Sequence, residues 1–150
     1  MRAGARPLRL LAALALGVAA PWAHALEFRS VDVDAAVMFD APSLKAHPVS
    51  ILSRHYPVEV IVALDGWVKV RDATGDLAWI EAAHLSTRRT VSIRVARAQV
   101  RAAPDESAAL VFEAEQHVVL DMLELSGNFV RVRHAQGLNG YVHVTQVWGL

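Results

Sequence analysis

Cysteine is absent from this 150-residue sequence, so any chemistry it performs falls to carboxylates, histidines and aromatic rings. That absence removes a thiol nucleophile, a disulfide framework, a thiolate metal site and a lipid-modified cysteine together. A hydrolase would instead need an activated hydroxyl or two carboxylates held in distinct environments. The acids on offer are Asp65, Asp72, Asp76 and Glu81 in the first half, and Asp105, Glu106 and Asp121 in the second. They fall in turn sequences or alternate outward along strand-like runs, which reads as a solvated face. A metal site needs three or four convergent ligands at a recognisable spacing. No His-x-x-x-His occurs, and although His134 and His143 could approach across neighbouring strands, the histidines read as solvated loop residues. The residues point to a protein that is not an enzyme and holds neither metal nor cofactor.

The aromatics carry more information. Trp67 and Phe129 each open a strand-like run directly after a turn, and Trp79 and Tyr141 each lie in the run that follows. A large ring at such a position either caps a small core or lines a shallow groove. Both roles stay open for these four residues.

The elements that must position them are repeated. Pro42 and Pro104 lie 62 residues apart, and the same offset joins Ala41 with Ala103, Val49 with Val111, His55 with His117, Val68 with Val130, Val70 with Val132, Arg71 with Arg133 and Gly75 with Gly137. Residues 36–86 laid on 98–148 without a gap give 11 identities in 51 pairs. Background usage would give about three or four, so the chain contains one unit twice. Trp67 answers Phe129, Lys69 answers Arg131 and Trp79 answers Tyr141.

Within each unit the pattern is that of short strands. Val58–Val62 and Trp67–Arg71 are β-branched or alternating runs separated by Asp65-Gly66, and Gly127-Asn128 occupies the matching place in the second unit. These dipeptides predict hairpins, with Asp and Asn tolerating the left-handed backbone. Further turns at 74–76 and 136–140 lead into strands over 78–81 and 141–143. Val91, Ile93 and Val95 alternate with Ser92 and Arg94, which makes the connection the first strand of unit two. Many short strands without a long amphipathic helix define an all-β barrel or sandwich.

In unit two, Val100-Arg101-Ala102-Ala103-Pro104-Asp105, Leu110-Val111, Asn128-Phe129-Val130-Arg131-Val132-Arg133 and Gly140-Tyr141-Val142 resemble the bacterial SH3-like (SH3b) domain family. Unit one is similar through Ala41-Pro42-Ser43, Pro48-Val49, Gly66-Trp67-Val68-Lys69-Val70 and Ala78-Trp79-Ile80. The resemblance implies two tandem small SH3-like β-barrels over 27–86 and 90–148. Two positions depart from the family pattern: histidine, His55 and His117, stands where a turn glycine is usual, and Ala78 stands where glycine precedes the closing aromatic. Histidine is among the side chains enriched at positive φ, so the turn is tolerable. In such barrels, aromatics near the variable loops receive extended peptides. Tyr56, Trp79, Tyr141 and Trp148 therefore join Trp67 and Phe129 as ligand-binding candidates. Cell-wall endopeptidases often carry this domain as an accessory, and the expectation from the resemblance is that this chain holds the accessory type without a catalytic domain.

Arg2, Arg6 and Arg9, the apolar run Leu10–Ala20, the stop at Pro21 and the small-x-small ending Ala23-His24-Ala25 form a secretory signal over 1–25. A membrane span would need about 20 apolar residues, so no stable membrane insertion is expected after cleavage. The remainder has 12 basic and 15 acidic residues, a balance that argues against nucleic acid as a partner. Residues 27–86 carry five basic and nine acidic residues and 87–150 seven and six, with Arg88, Arg89, Arg94 and Arg97 at the junction. That asymmetry could dock the units together. The expectation is an exported, periplasmic or extracellular protein that binds cell-wall peptide or an extended envelope-protein segment. The alternative is a structural partner of another periplasmic protein with no small ligand.

Overall fold

The computed structural model describes Met1 and residues 25–150, so the signal expected over 1–25 lies outside the described residues but for its two ends. Unit one is built from β1 (Glu27–Val31), β2 (Ala35–Phe39), β3 (Pro48–Ser53), β4 (Pro57–Leu64), β5 (Trp67–Arg71), β6 (Leu77–Glu81), a 3-10 turn (Ala82–His84) and β7 (Leu85–Ser86). Unit two repeats it as β8 (Thr90–Ile93), β9 (Arg97–Arg101), β10 (Leu110–Glu115), β11 (Val119–Ser126), β12 (Phe129–Arg133), β13 (Asn139–His143), a 3-10 turn (Val144–Gln146) and β14 (Val147–Trp148). The two antiparallel sheets run β3-β2-β6-β5-β4-β1-β7 and β10-β9-β13-β12-β11-β8-β14, the same order twice. They are two tandem SH3-like barrels. No helix among the described residues is long and apolar enough to cross a membrane.

Pleat alternation builds each core. Val68 and Val70 on β5 point inward with Val58 and Ile80, and Val130 and Val132 on β12 do so with Leu120 and Val142. Each such side chain contributes roughly 1.5–3 kcal/mol by leaving water. The β4–β5 and β11–β12 hairpins close at Leu64↔Trp67 and Ser126↔Phe129, as the turn dipeptides predict. Neither Asp65 nor Asn128 takes the left-handed backbone, however. Glycine takes it in both, at the second loop position in unit one (Gly66, φ 76°) and at the first in unit two (Gly127, φ 58°). Glycine carries no Cβ penalty there, so it outcompetes the merely tolerant Asp and Asn.

His55 and His117 do sit at positive φ, 69° and 70°. Each turns the chain into the long fourth strand of its unit while its N–H donates to the end of the first strand: His55 to the Val31 carbonyl at 2.8 Å and His117 to the Ile93 carbonyl at 2.9 Å. The connection does form the first strand of unit two, but its alternation is hidden. Thr90, Val91, Ser92 and Ile93 are all buried, and Val95 lies beyond the strand. Thr90 faces unit one, where its hydroxyl donates to the His55 carbonyl at 2.7 Å.

The turn geometry sets a substitution series at His117, which is exposed. His117→Gly is expected to leave stability within about 1 kcal/mol of the native protein, because relief of the left-handed strain offsets the added chain entropy. His117→Val, β-branched at the same φ, is expected to lose roughly 1–2 kcal/mol more than the glycine variant in urea unfolding. Equal midpoints for the two variants would show that φ is not what selects the residue.

Candidate functional site

The outward positions of β5 and β6 are opposite in kind to the inward ones. Trp67, Lys69 and Arg71 alternate with the buried valines, and in register they face Glu81, Trp79 and Leu77. Trp67 stands edge-on to Phe39 with ring centroids 5.7 Å apart at 85°, and Phe39 in turn pairs with Trp79 across β2 and β6. The Lys69 ammonium lies 5.9 Å from the centre of the Trp79 ring. Phe39, Trp67 and Trp79 thus form one aromatic strip over three strands. None of the three belongs to the packed core or its partly buried surround. The core-capping role is therefore not the one these rings occupy.

Phe39 was missed by the sequence reading. Its signal was its place on β2 one residue beyond buried Met38, but the repeat comparison hid it, because its counterpart is Arg101.

In unit two the same face is polar. Phe129 stands edge-on to His143 at 5.3 Å and 80°, Arg131 pairs with Tyr141, and Tyr141 pairs with Arg101. Phe129 and Tyr141, like their counterparts, lie outside the core cluster. Where Phe39 meets Trp67 in unit one, unit two has a cleft of about 400 Å³ lined by Gln99, Arg101, Glu106, Phe129, His143 and Thr145. Arg101 donates to the Ala108 carbonyl at 2.7 Å and to the Gln99 side chain, and the His143 Nδ1 is bonded to the Thr145 hydroxyl at 2.8 Å. His134 and His143 do not approach each other. His143 faces Phe129 at one end of the β12–β13 hairpin, whereas His134 follows Arg133 at the other and stands near Phe112. Among the described residues no three His, Asp or Glu side chains are grouped to hold a metal ion.

The acids hold loops and ion pairs. Asp72, expected on a solvated face, is buried, and its Oδ1 accepts the Thr74 N–H, the Thr74 hydroxyl and the Asp76 N–H. Asp105 is fully exposed, and hydrogen bonds from the Ser107 hydroxyl and N–H hold its carboxyl below the usual range. Burial alone would raise Asp121, but hydrogen bonds from Arg88 and Arg133 outweigh it and leave the carboxyl lowered.

Two of the six candidate aromatics are placed elsewhere. Tyr56 packs against the core of unit one, where burial raises its phenol pKa even though its oxygen accepts the Ala73 N–H at 3.3 Å. Trp148 stands edge-on to Phe28 of unit one at 5.3 Å and 84°, so it lies in the seam between the units. Phe28 is only 5% exposed yet belongs to neither core. Arg89 completes the seam, with its guanidinium 5.8 Å from the Phe28 ring and Nη2 donating to the Gly149 carbonyl at 2.9 Å.

The bacterial SH3 domain family matches residues 32–87 and 94–149, and the chain belongs to that family. No curated protein matches the sequence. Among solved structures it is similar to NlpC2 from Trichomonas vaginalis (16% identity, 84% of this chain and 49% of that one, TM-score 0.39) and to NlpC1 from the same organism (16%, 88% and 49%, TM-score 0.39). An NlpC/P60 family protein from Bacillus cereus ATCC 10987 is also similar (15%, 81% and 55%, TM-score 0.38). The chain spans about half the length of each of these structures.

The contacts of Phe28 with Trp148 and Arg89 predict that the two barrels are energetically coupled. The native protein is expected to unfold in one calorimetric transition. Phe28→Ala, which removes a ring worth roughly 3–5 kcal/mol when buried, is expected to split it into two. A single unshifted transition in the variant would show that the barrels do not support each other.

Proposed function

We propose that the protein is a non-catalytic binding module of the cell envelope, taking an extended peptide across the aromatic strip of unit one. The observation that carries this reading is that Phe39, Trp67 and Trp79 lie together on an outer face while the core is complete without them. Half-buried rings gathered on one outer sheet face mark a surface that is covered in use. Three rings across neighbouring strands offer the flat, stiff surface on which an extended backbone can lie. The excess acidity of residues 27–86 favours segments bearing amines, such as the diamino acid of a wall peptide. It acts by long-range steering more than by contact, since Lys69 and Glu81 leave the strip itself neutral. Family membership and the N-terminal signal sequence support an exported, periplasmic setting, in which cell-wall peptide or an envelope-protein segment is the partner.

Purified cell-wall sacculi provide the probe. Native protein is expected to be retained on them, and Trp79→Ala is expected to weaken retention by roughly 1–3 kcal/mol, with Tyr141→Ala doing less. Circular dichroism of both variants checks that they remain folded. Equal losses from the two variants would remove the assignment to unit one. Retention on an envelope extract but not on sacculi would favour the protein-partner alternative.

A further inference from the structure

A second site of different chemistry lies where the barrels meet, and the internal repeat exposes it. In unit one the fourth and fifth strands carry one cross-strand ion pair, Arg71 with Glu59 at 2.8 Å. The matching pair in unit two, Arg133 with Asp121 at 3.3 Å, is joined by Arg88, whose Nε and Nη2 both donate to Asp121 at 2.9 and 2.6 Å. Position 26, the counterpart of Arg88, is leucine. Across the seam unit one adds Arg54, whose counterpart is Gln116. A cleft of about 260 Å³ is lined by Arg54, His55, Arg88, Thr90, Asp121 and Arg133. Two guanidinium groups, those of Arg88 and Arg133, therefore share the Asp121 carboxylate, and Arg54 lines the same cleft from unit one while its own carboxylate partner is Asp34.

The fold does not need this surplus, because unit one makes the same hairpin with one arginine. Arg54 gives its Nε to Asp34 and one terminal nitrogen to the Asp32 carbonyl, and Arg133 gives one nitrogen to Asp121. A guanidinium has five N–H donors, so most remain without a protein acceptor among the described residues. The three side chains are 45%, 48% and 52% exposed, open enough to reach a ligand. Even with Asp34 and Asp121 both ionised, the group keeps one excess positive charge. His55 adds an Nδ1 that is buried with no hydrogen-bond partner among the described residues.

We propose that this junction cleft binds the carboxylate of a small ligand, gripped between the guanidinium forks of Arg54 and Arg88. The planar fork matches two carboxylate oxygens and makes stronger hydrogen bonds than neutral donors do. The cleft is smaller than those that enclose whole ligands, so it takes a terminal group. This site shares no residue with the aromatic strip and does not rest on the reading given for it.

The test is titration of the purified protein with N-acetylglycylglycine, its C-terminal amide and inorganic phosphate, followed by arginine side-chain NMR and calorimetry. The acid is expected to bind with millimolar affinity, to move the Arg54, Arg88 and Arg133 side-chain resonances, and to weaken with added salt. The amide is expected to leave those resonances in place. Arg54→Gln, whose partner Asp34 is exposed, is expected to weaken the acid about five-fold without moving the unfolding midpoint. Trp79→Ala is expected to leave it unchanged. Equal binding of acid and amide, tighter binding of phosphate than of the acid, or full affinity in Arg54→Gln would overturn the proposal.

Discussion

The burial of Val68 and Val70 on β5, repeated by Val130 and Val132 on β12, is the constraint on which the rest of each barrel depends. With a pleat of period two, fixing two inward valines fixes every neighbour on the strand. Trp67 and Lys69 must then face outward, and the hairpin register carries Trp79 and Glu81 to the same side. A slip of one residue would put both tryptophans into a core already filled by Val58, Ile80 and Met38, and would expose the valines. Core and candidate site are therefore two faces of one alternation. That is why the rings hold their places without contributing to the interior.

Against that shared frame the copies have diverged mainly on the outer face. Phe39 becomes Arg101, Glu81 becomes His143, and the two tryptophans become Phe129 and Tyr141, so an aromatic strip turns into a polar cleft over the same backbone. One interior exchange is coupled. A Cβ at Gly140 would meet the Arg101 carbonyl oxygen at 2.6 Å and Val100 Cγ1 at 2.8 Å, so glycine is required there. Unit one holds Ala78 at the matching place, with Met38 where unit two has Val100; that exchange bears on the side-chain contact and not on the nearer one to the backbone carbonyl.

Much of this was legible in the sequence because it is local or repeated. Hairpins at 65–66 and 127–128, histidines suited to positive φ, and the pairing of aromatics at a 62-residue offset are all properties of short segments. What escaped depends on surfaces meeting. Phe28 lies before the aligned repeat and Trp148 at its end, where it answers Ser86, so nothing in either copy alone marks them as partners. Phe39 escaped because its counterpart is not aromatic. Asp72 reads as a turn acid, and only the folded loop shows that its carboxylate gathers three donors from Thr74 and Asp76.

The docking of the barrels shows how the charge asymmetry is used. Were the acidic surplus of unit one drawn to the arginine-rich junction, the junction arginines would pair with its carboxylates. Instead Arg88 reaches Asp121 and Arg97 reaches Glu113, both in unit two. The arginine that crosses the seam, Arg89, lies over an uncharged ring and donates to a backbone carbonyl. Cation–π and edge-to-face contacts of this kind are each worth about 0.5–2 kcal/mol and depend less on salt than exposed ion pairs do. A seam held by Phe28, Trp148 and Arg89 does not draw on Arg54 or Arg88, each of which pairs within its own unit and keeps further N–H donors. Arg54 and Arg88 then face a common cleft at a relative position fixed by aromatic packing, which is the preorganisation that a small anionic group needs in order to be held at all.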